Sequence, residues 1–345
     1  MNTLADLLGV ELPIIQAPMA GVQDTALALA VAAAGGLGSL PAAMLDPAGL
    51  EDALTTLSRH TDLPININFF CHTPIAVQPD IPEAWQNRLA TYYSEYGVTV
   101  AQTKGGRAPF GQELAEVIVR HAPRVVSFHF GLPEQDLLDR ILATGAKVLS
   151  SATSVAEALW LEQRGVSAII AQGYEAGGHR GMFLSNDLSS QLGTFALLPQ
   201  VVAAVRIPVI AAGGIADAAG VAAACRLGAS GVQVGTSFLR TPEATTSEIH
   251  RRALADLSAP TAVTNVFSGR PARGIVNRAI RELGPISDLA PPFPTAGNAL
   301  QPLRRAAEAQ GKGDFSPLWS GQNRSGCSAQ PAADIVARLA EGLQM

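Results

Sequence analysis

Ser167-Ala168-Ile169-Ile170-Ala171-Gln172-Gly173-Tyr174-Glu175-Ala176-Gly177-Gly178-His179-Arg180-Gly181 is an apolar run that ends in a glycine-rich loop carrying one histidine. A short, unbroken apolar run suits a strand buried on both faces, the habit of parallel sheets. The imidazole sits just past the C-terminal end of that strand, where α/β barrels build their active sites. Glycine lets a backbone approach a ligand closely, and histidine moves protons near neutral pH. The loop points to an enzyme.

The same alternation extends to both sides. Apolar runs at residues 13–17, 37–40, 65–70, 125–130, 147–150, 168–172, 209–212 and 231–234 are strand candidates. Helical spacing of apolar residues lies between them at 26–34, 134–143, 155–164, 198–205 and 218–227. Eight buried strands separated by helices predict an α/β fold closed as a (β/α)8 TIM barrel; an open doubly wound sheet shares the periodicity. Residues 71–123 form an extended insertion after the third strand, with a helix expected over 82–96 and a polar Gly-Gly loop over 103–109. Residues 256–345, with helices expected near 303–310 and 332–343, read as a C-terminal cap at the mouth of a barrel spanning 1–255.

Composition narrows the class. The 345 residues are 48% hydrophobic and 15% charged with a net charge of −5, which suits a compact enzyme and gives nucleic acid no basic stripe to bind. Cys71, Cys225 and Cys327 are scattered without metal-ligand spacing, as expected of a reducing compartment without disulfides or zinc. The N-terminus lacks a basic segment followed by an apolar core, and the glycine-broken patch at 26–40 is too short to span a bilayer. A cytoplasmic protein without a membrane partner, monomer or homodimer, is the expectation.

Two further glycine signals follow the last two strands: Gly213-Gly214 and Gln233-Val234-Gly235-Thr236. Loops in these places often hold a phosphate, because backbone N–H groups converge on the anion. After the first strand, Gln16-Ala17-Pro18-Met19-Ala20-Gly21 must turn at the same face, since proline cannot continue a ladder. Asn66 and Asn68 share one face of the third strand and need partners there, either a bound heterocycle or a neighbouring backbone group. Of the six histidines, His60, His121 and His250 fall in polar helical surfaces and are expected to be solvated. His129 reads as a satisfied core histidine, His72 has no clear reading, and His179 is the candidate base. No Gly-x-Ser-x-Gly elbow supports serine chemistry. A phosphate-bearing cofactor that carries the hard chemistry, with one protein base, is the economical reading.

Together, Gln16–Gly21, Gly35-Gly36-Leu37-Gly38-Ser39, Asn66-Ile67-Asn68, Ser127-Phe128-His129-Phe130-Gly131, the histidine loop, Ala212–Ile215, Gly231–Phe238 and Phe267–Gly274 resemble the nitronate monooxygenase family, class I in particular. The resemblance runs from about Leu12 to Gln322, where Leu318-Trp319-Ser320-Gly321-Gln322 also looks like the class I C-terminus. It implies an FMN-binding TIM barrel that oxidises alkyl nitronates, such as propionate 3-nitronate, with O₂ to a carbonyl compound and nitrite. His179 would be the catalytic base. Ala17, Pro18, Met19, Asn68, Gln172, Gly177, Gly178, Gly213, Gly214, Gln233, Val234, Gly235 and Thr236 would bind FMN. The chain departs from the pattern after its Pro-rich turn, where Gly297 stands in place of a tyrosine and Arg304 or Arg305 would supply the usual positive charge. The alternatives are an FMN-dependent NAD(P)H:quinone or enoyl-thioester reductase and a non-catalytic flavin-binding barrel.

Overall fold

The computed structural model describes residues 3–74, 81–99 and 108–345; the greater part of the polar Gly-Gly loop lies outside them. Eight parallel strands form the centre: Ile14–Gln16, Gly38–Pro41, Ile65–Phe70, Val125–His129, Lys147–Ala152, Ala168–Gln172, Val209–Ala212 and Gly231–Val234. Each expected strand is present, four with the expected ends and four with one or both ends shifted by one or two residues. The first strand pairs with the eighth (Ile14↔Val232), and a parallel bridge, Ile15↔Leu37, joins it to the second. That contact closes the (β/α)8 barrel. Close approach makes glycine obligatory beside it: a β-carbon on Gly38 would stand 2.0 Å from the Ala28 carbonyl oxygen of helix Thr25–Ala33.

Alternation divides each strand between two cores. Ile14, Ile67, Val126, Val148, Ile169, Ala171, Val209, Ala211 and Val232 face the surrounding helices. Ile15, Leu37, Val125, Leu149, Ala168, Ile170, Ile210 and Ala212 point inward, where Leu4 and Leu8 of helix Leu4–Leu8 plug the base. Burying each of those two leucines is worth about 1.5–3 kcal/mol. Nearer the mouth the interior becomes polar. Asn66 Nδ2 donates to Ser39 Oγ at 2.9 Å, and Asn68 Nδ2 donates to Ser127 Oγ at 2.9 Å. A dry base and a polar mouth place the chemistry at the C-terminal ends of the strands.

The insertion and the tail meet. Trp85, Leu89, Tyr92 and Tyr93 of helix Glu83–Tyr96 share an apolar cluster with Val266, Phe267, Leu283, Leu300, Leu303 and Phe315. The Tyr93 hydroxyl donates to Ala299 O at 2.7 Å, and its burial raises the phenol pKa to about 12. Tail strands Thr261–Thr264 and Ala272–Ile275 form an antiparallel sheet whose third member is Gly178–His179. The last helix, Ala332–Ala340, instead packs Ile335, Val336 and Leu339 into the outer layer of the barrel.

Candidate active site

The loop that carries His179 is folded around a cation. Arg180 is fully buried and donates to five carbonyls of its own loop: Gly173 O, Tyr174 O, Ala176 O, Gly177 O and Gly178 O. The four N–H groups on its two terminal nitrogens, held in a rigid fork, are shared among carbonyls that all point inward. Arg273, also buried, donates to Tyr174 O at 3.0 Å and lies over the Tyr174 ring. Burial pulls the Arg180 pKa down to about 9, with the Arg273 charge adding to the effect, so Arg180 stays cationic at neutral pH; burial lowers the Arg273 pKa as well. Arg270 stacks on Phe130, and burial brings its pKa to about 10. Buried positive charge behind the loop favours an anionic ligand in front of it.

His179 projects from this frame. Its Nε2 lies 2.9 Å from Ser268 Oγ, and its ring packs near Trp319 (5.6 Å) and Phe293 (5.4 Å) between centroids. Its backbone is pinned from the barrel side: Gln172 Nε2 donates to His179 O at 3.0 Å, while Gly181 N donates to Gln172 Oε1 at 2.7 Å. Pairing with Ala272 of the tail fixes the opposite edge. His129, read as core, lines the same space with Nδ1 at 2.6 Å from Ser151 Oγ and Nε2 near His179 O. Burial holds its pKa at about 3, so it stays neutral.

The site opens on a cavity of about 540 Å³, in the range of cofactor and ligand pockets. Every residue expected from the sequence lines it: Ala17, Pro18 and Met19 after the first strand; Asn68 and Gln172 on strands; Gly177, Gly178 and His179; Gly213 and Gly214; and Gln233, Val234, Gly235 and Thr236. Asn66, the other inward asparagine, lies one layer deeper on the Ser39 hydroxyl, whereas Asn68 lines the cavity and bonds both Ser127 O and Ser127 Oγ.

The cavity's chemistry fits a phosphate ester with a heterocycle. Gly213 and Gly214 have φ of 114° and 77°, a conformation that glycine adopts without strain. Among the described residues, the N–H groups of Gly214, Gly235 and Thr236 have no protein acceptor, and they line one side. The Gln233 amide oxygen is buried without a partner, an acceptor for a ring N–H.

The tail contributes residues that sequence spacing did not reveal. Ser268, Phe293, Trp319, Ser320 and Asn323 line the cavity from positions far along the chain. Only the motifs around 267–274 and 318–322 hinted at them. Arg304 reaches the cavity and Arg305 does not; Gly297 lines it where a β-carbon would stand 2.6 Å from Phe267 O. His250 is a correction: expected to be solvated, it is 3% exposed, lines the cavity, and bonds Trp319 O through Nε2 at 3.0 Å. Helix Glu248–Ala255 turns that face against the tail, a partner that its polar neighbours did not announce.

Residues 1–342 match the family model described as nitronate monooxygenase. The chain belongs to that family. Its relatives include the nitronate monooxygenases of Paraburkholderia phytofirmans, 42% identical over 99% of this chain and 95% of that one, and of Pseudomonas aeruginosa, 39% identical over 98% of each. Among solved structures, the nitroalkane oxidase of Streptomyces ansochromogenes superposes with a TM-score of 0.90 at 39% identity over 99% of both chains. FabK of Thermotoga maritima, 26% identical over 100% of this chain and 97% of its own, gives 0.72. The protein is thus an enzyme of the nitronate monooxygenase family, a family of flavin-dependent oxidoreductases. Among the described residues, no helix is long and apolar enough to cross a membrane, and no His, Cys, Asp and Glu group is placed to hold a metal ion.

Proposed function

We propose that this nitronate monooxygenase binds FMN and uses O₂ to oxidise small alkyl nitronates, propionate 3-nitronate or a close analogue, to a carbonyl compound and nitrite. One observation carries the reading: a histidine anchored to Ser268 stands in the same cavity as the paired glycine loops. In this reading, residues 1–255 are the flavin-binding barrel and residues 256–345 a tail that caps its mouth and returns its last helix, Ala332–Ala340, to the barrel's outer layer. The N–H groups of Gly214, Gly235 and Thr236 hold the phosphate, with Gly213 and Val234 shaping their loops. Asn68, Gln172 and Gln233 face the heterocycle, and Ala17, Pro18, Met19, Gly177 and Gly178 form the walls around it. FMN, when bound, supplies the electron acceptor that links nitronate oxidation to O₂.

The chain's own residues handle the proton and the anion. The Ser268 hydroxyl has one hydrogen and a backbone acceptor, Arg270 O, at 3.1 Å. Toward His179 it then accepts Nε2–H, which puts the lone pair of the neutral ring on Nδ1. His179 takes the proton α to a neutral nitro group, and the imidazolium formed pairs with the nitronate. Phe70, Phe293 and Trp319 keep water from the reacting carbon, and Arg304, paired with Glu308 at 2.7 Å, also lines the cavity.

The decisive experiment adds propionate 3-nitronate or ethylnitronate anaerobically to the flavin-loaded protein. The 450 nm absorbance is expected to bleach; a spectrum that stays oxidised with both compounds removes the reading. Rapid bleaching by NADH or NADPH in a separate cuvette would favour the reductase alternative, and flavin binding with no bleaching by any of them a non-catalytic barrel.

A further inference from the structure

We infer that residues 321–323 form a strap that latches the cofactor site, so that flavin enters and leaves only when this segment lifts. The inference rests on the FMN reading above.

The strap crosses all three glycine loops. Gly321 N donates to Thr236 Oγ1 at 3.0 Å, Gln322 N to Glu175 O at 3.0 Å, and Asn323 Nδ2 to Gly214 O at 3.0 Å. Trp319 lies against the His179 ring, and Ser320, Gly321 and Asn323 line the cavity. The backbones also approach closely. A β-carbon on Gly177 would stand 2.6 Å from Gly321 N, and one on Gly321 would stand 3.1 Å from Glu175 O. Gly177, read from sequence as a cofactor contact, is thus required by the strap whatever else it touches.

The anchoring is uneven along the segment. Leu318 is buried with Leu239, Leu254 and Ile275 at one end. At the other end, Arg324 Nη2 donates to Asp256 O and Ala259 O. Trp319 and Ser320 are also held to the tail, by the Gly274–Trp319 bridge, by Ser320 N on Arg273 O at 3.3 Å and by His250 Nε2 on Trp319 O. The segment left to lift is 321–323, which meets the glycine loops through single hydrogen bonds, each worth little net. These bonds join protein to protein and hold whether or not a ligand is present. That fixes the kinetic signature. Weakening the latch favours the open form of both apo and flavin-bound protein, so association and dissociation accelerate together while Kd stays constant. A residue that merely touches the ligand changes dissociation alone.

The test is Asn323→Ala, which deletes the bond to Gly214 O. FMN fluorescence is quenched or recovered as the flavin binds or leaves, and stopped-flow mixing gives both rates for wild type and variant. Both are expected to rise about five-fold, as loss of one such hydrogen bond implies, with Kd unchanged within two-fold. Hydrogen exchange at the Gly321 and Gln322 amides should rise in the same variant. A faster dissociation with an unchanged association rate would overturn the latch and leave a simple contact. Unchanged rates beside faster exchange would show a strap that opens without gating. If the wild-type protein binds no FMN, the failure belongs to the cofactor reading, since strap opening by hydrogen exchange is measured without flavin.

Discussion

Replacing His250 with asparagine should flatten the acid side of the stability curve by a calculable amount. The imidazole is 3% exposed, and burial, with the Arg304 charge adding to it, holds its pKa at about 4 against an ordinary 6.5. The unfolded chain takes up a proton near pH 6.5, whereas the folded protein resists until about pH 4. Between those values the unfolded state binds more protons, so stability is fully present above pH 6.5 and is lost as pH falls. At about 1.4 kcal/mol per pKa unit, the wild-type protein loses about 3 kcal/mol through this residue between pH 7 and pH 4. Asparagine retains an N–H donor for Trp319 O but cannot titrate. His129, with its pKa near 3, contributes in the same direction in both proteins and cancels in the comparison. The assay is urea unfolding followed by fluorescence of the three tryptophans at pH 7, 6, 5 and 4. The wild-type curve should fall more steeply, by about 3 kcal/mol in total. Parallel curves would refute the claim that His250 is buried as a neutral donor.

Three other outcomes follow from the site. His179→Asn should lower kcat/KM for neutral nitroethane by about 10²–10⁴, the usual worth of a general base, and lower it much less for preformed ethylnitronate; equal losses would remove the proton-abstraction role. Ser268→Ala should cost about five- to ten-fold on the neutral nitroalkane, the worth of one hydrogen bond orienting the ring, and shift the pH profile of kcat/KM; an unchanged profile argues against the Nε2–H tautomer. Arg180→Lys keeps the charge but cannot serve five carbonyls, so thermal unfolding should report a loss of about 2–4 kcal/mol; an unchanged melting temperature would show that the loop holds its shape without the guanidinium.

The histidine loop and its two glycine partners were legible because each ends a barrel strand, and a (β/α)8 fold gathers the ends of consecutive strands into one mouth. Local pattern is therefore enough to bring His179, Asn68, Gly214 and Thr236 together. Arg180 was visible as a letter in a motif, yet its grip on five loop carbonyls depends on how the turn closes. His250 shows the opposite limit. Its helix is polar enough to be read as a surface, and its burial comes entirely from the tail that packs on it.

By itself the sequence determined the barrel, the loop that bears His179 and the glycine loops beside it, since these follow from periodicity and from residues adjacent in the chain. Tertiary structure alone decided the other wall of the site. Ser268 meets His179 across 89 positions, and Gly321 meets Thr236 across 85. No spacing rule reaches that far. Such contacts are set by how an irregular tail docks through backbone hydrogen bonds and a shared apolar cluster, which leave little local pattern in the amino-acid order.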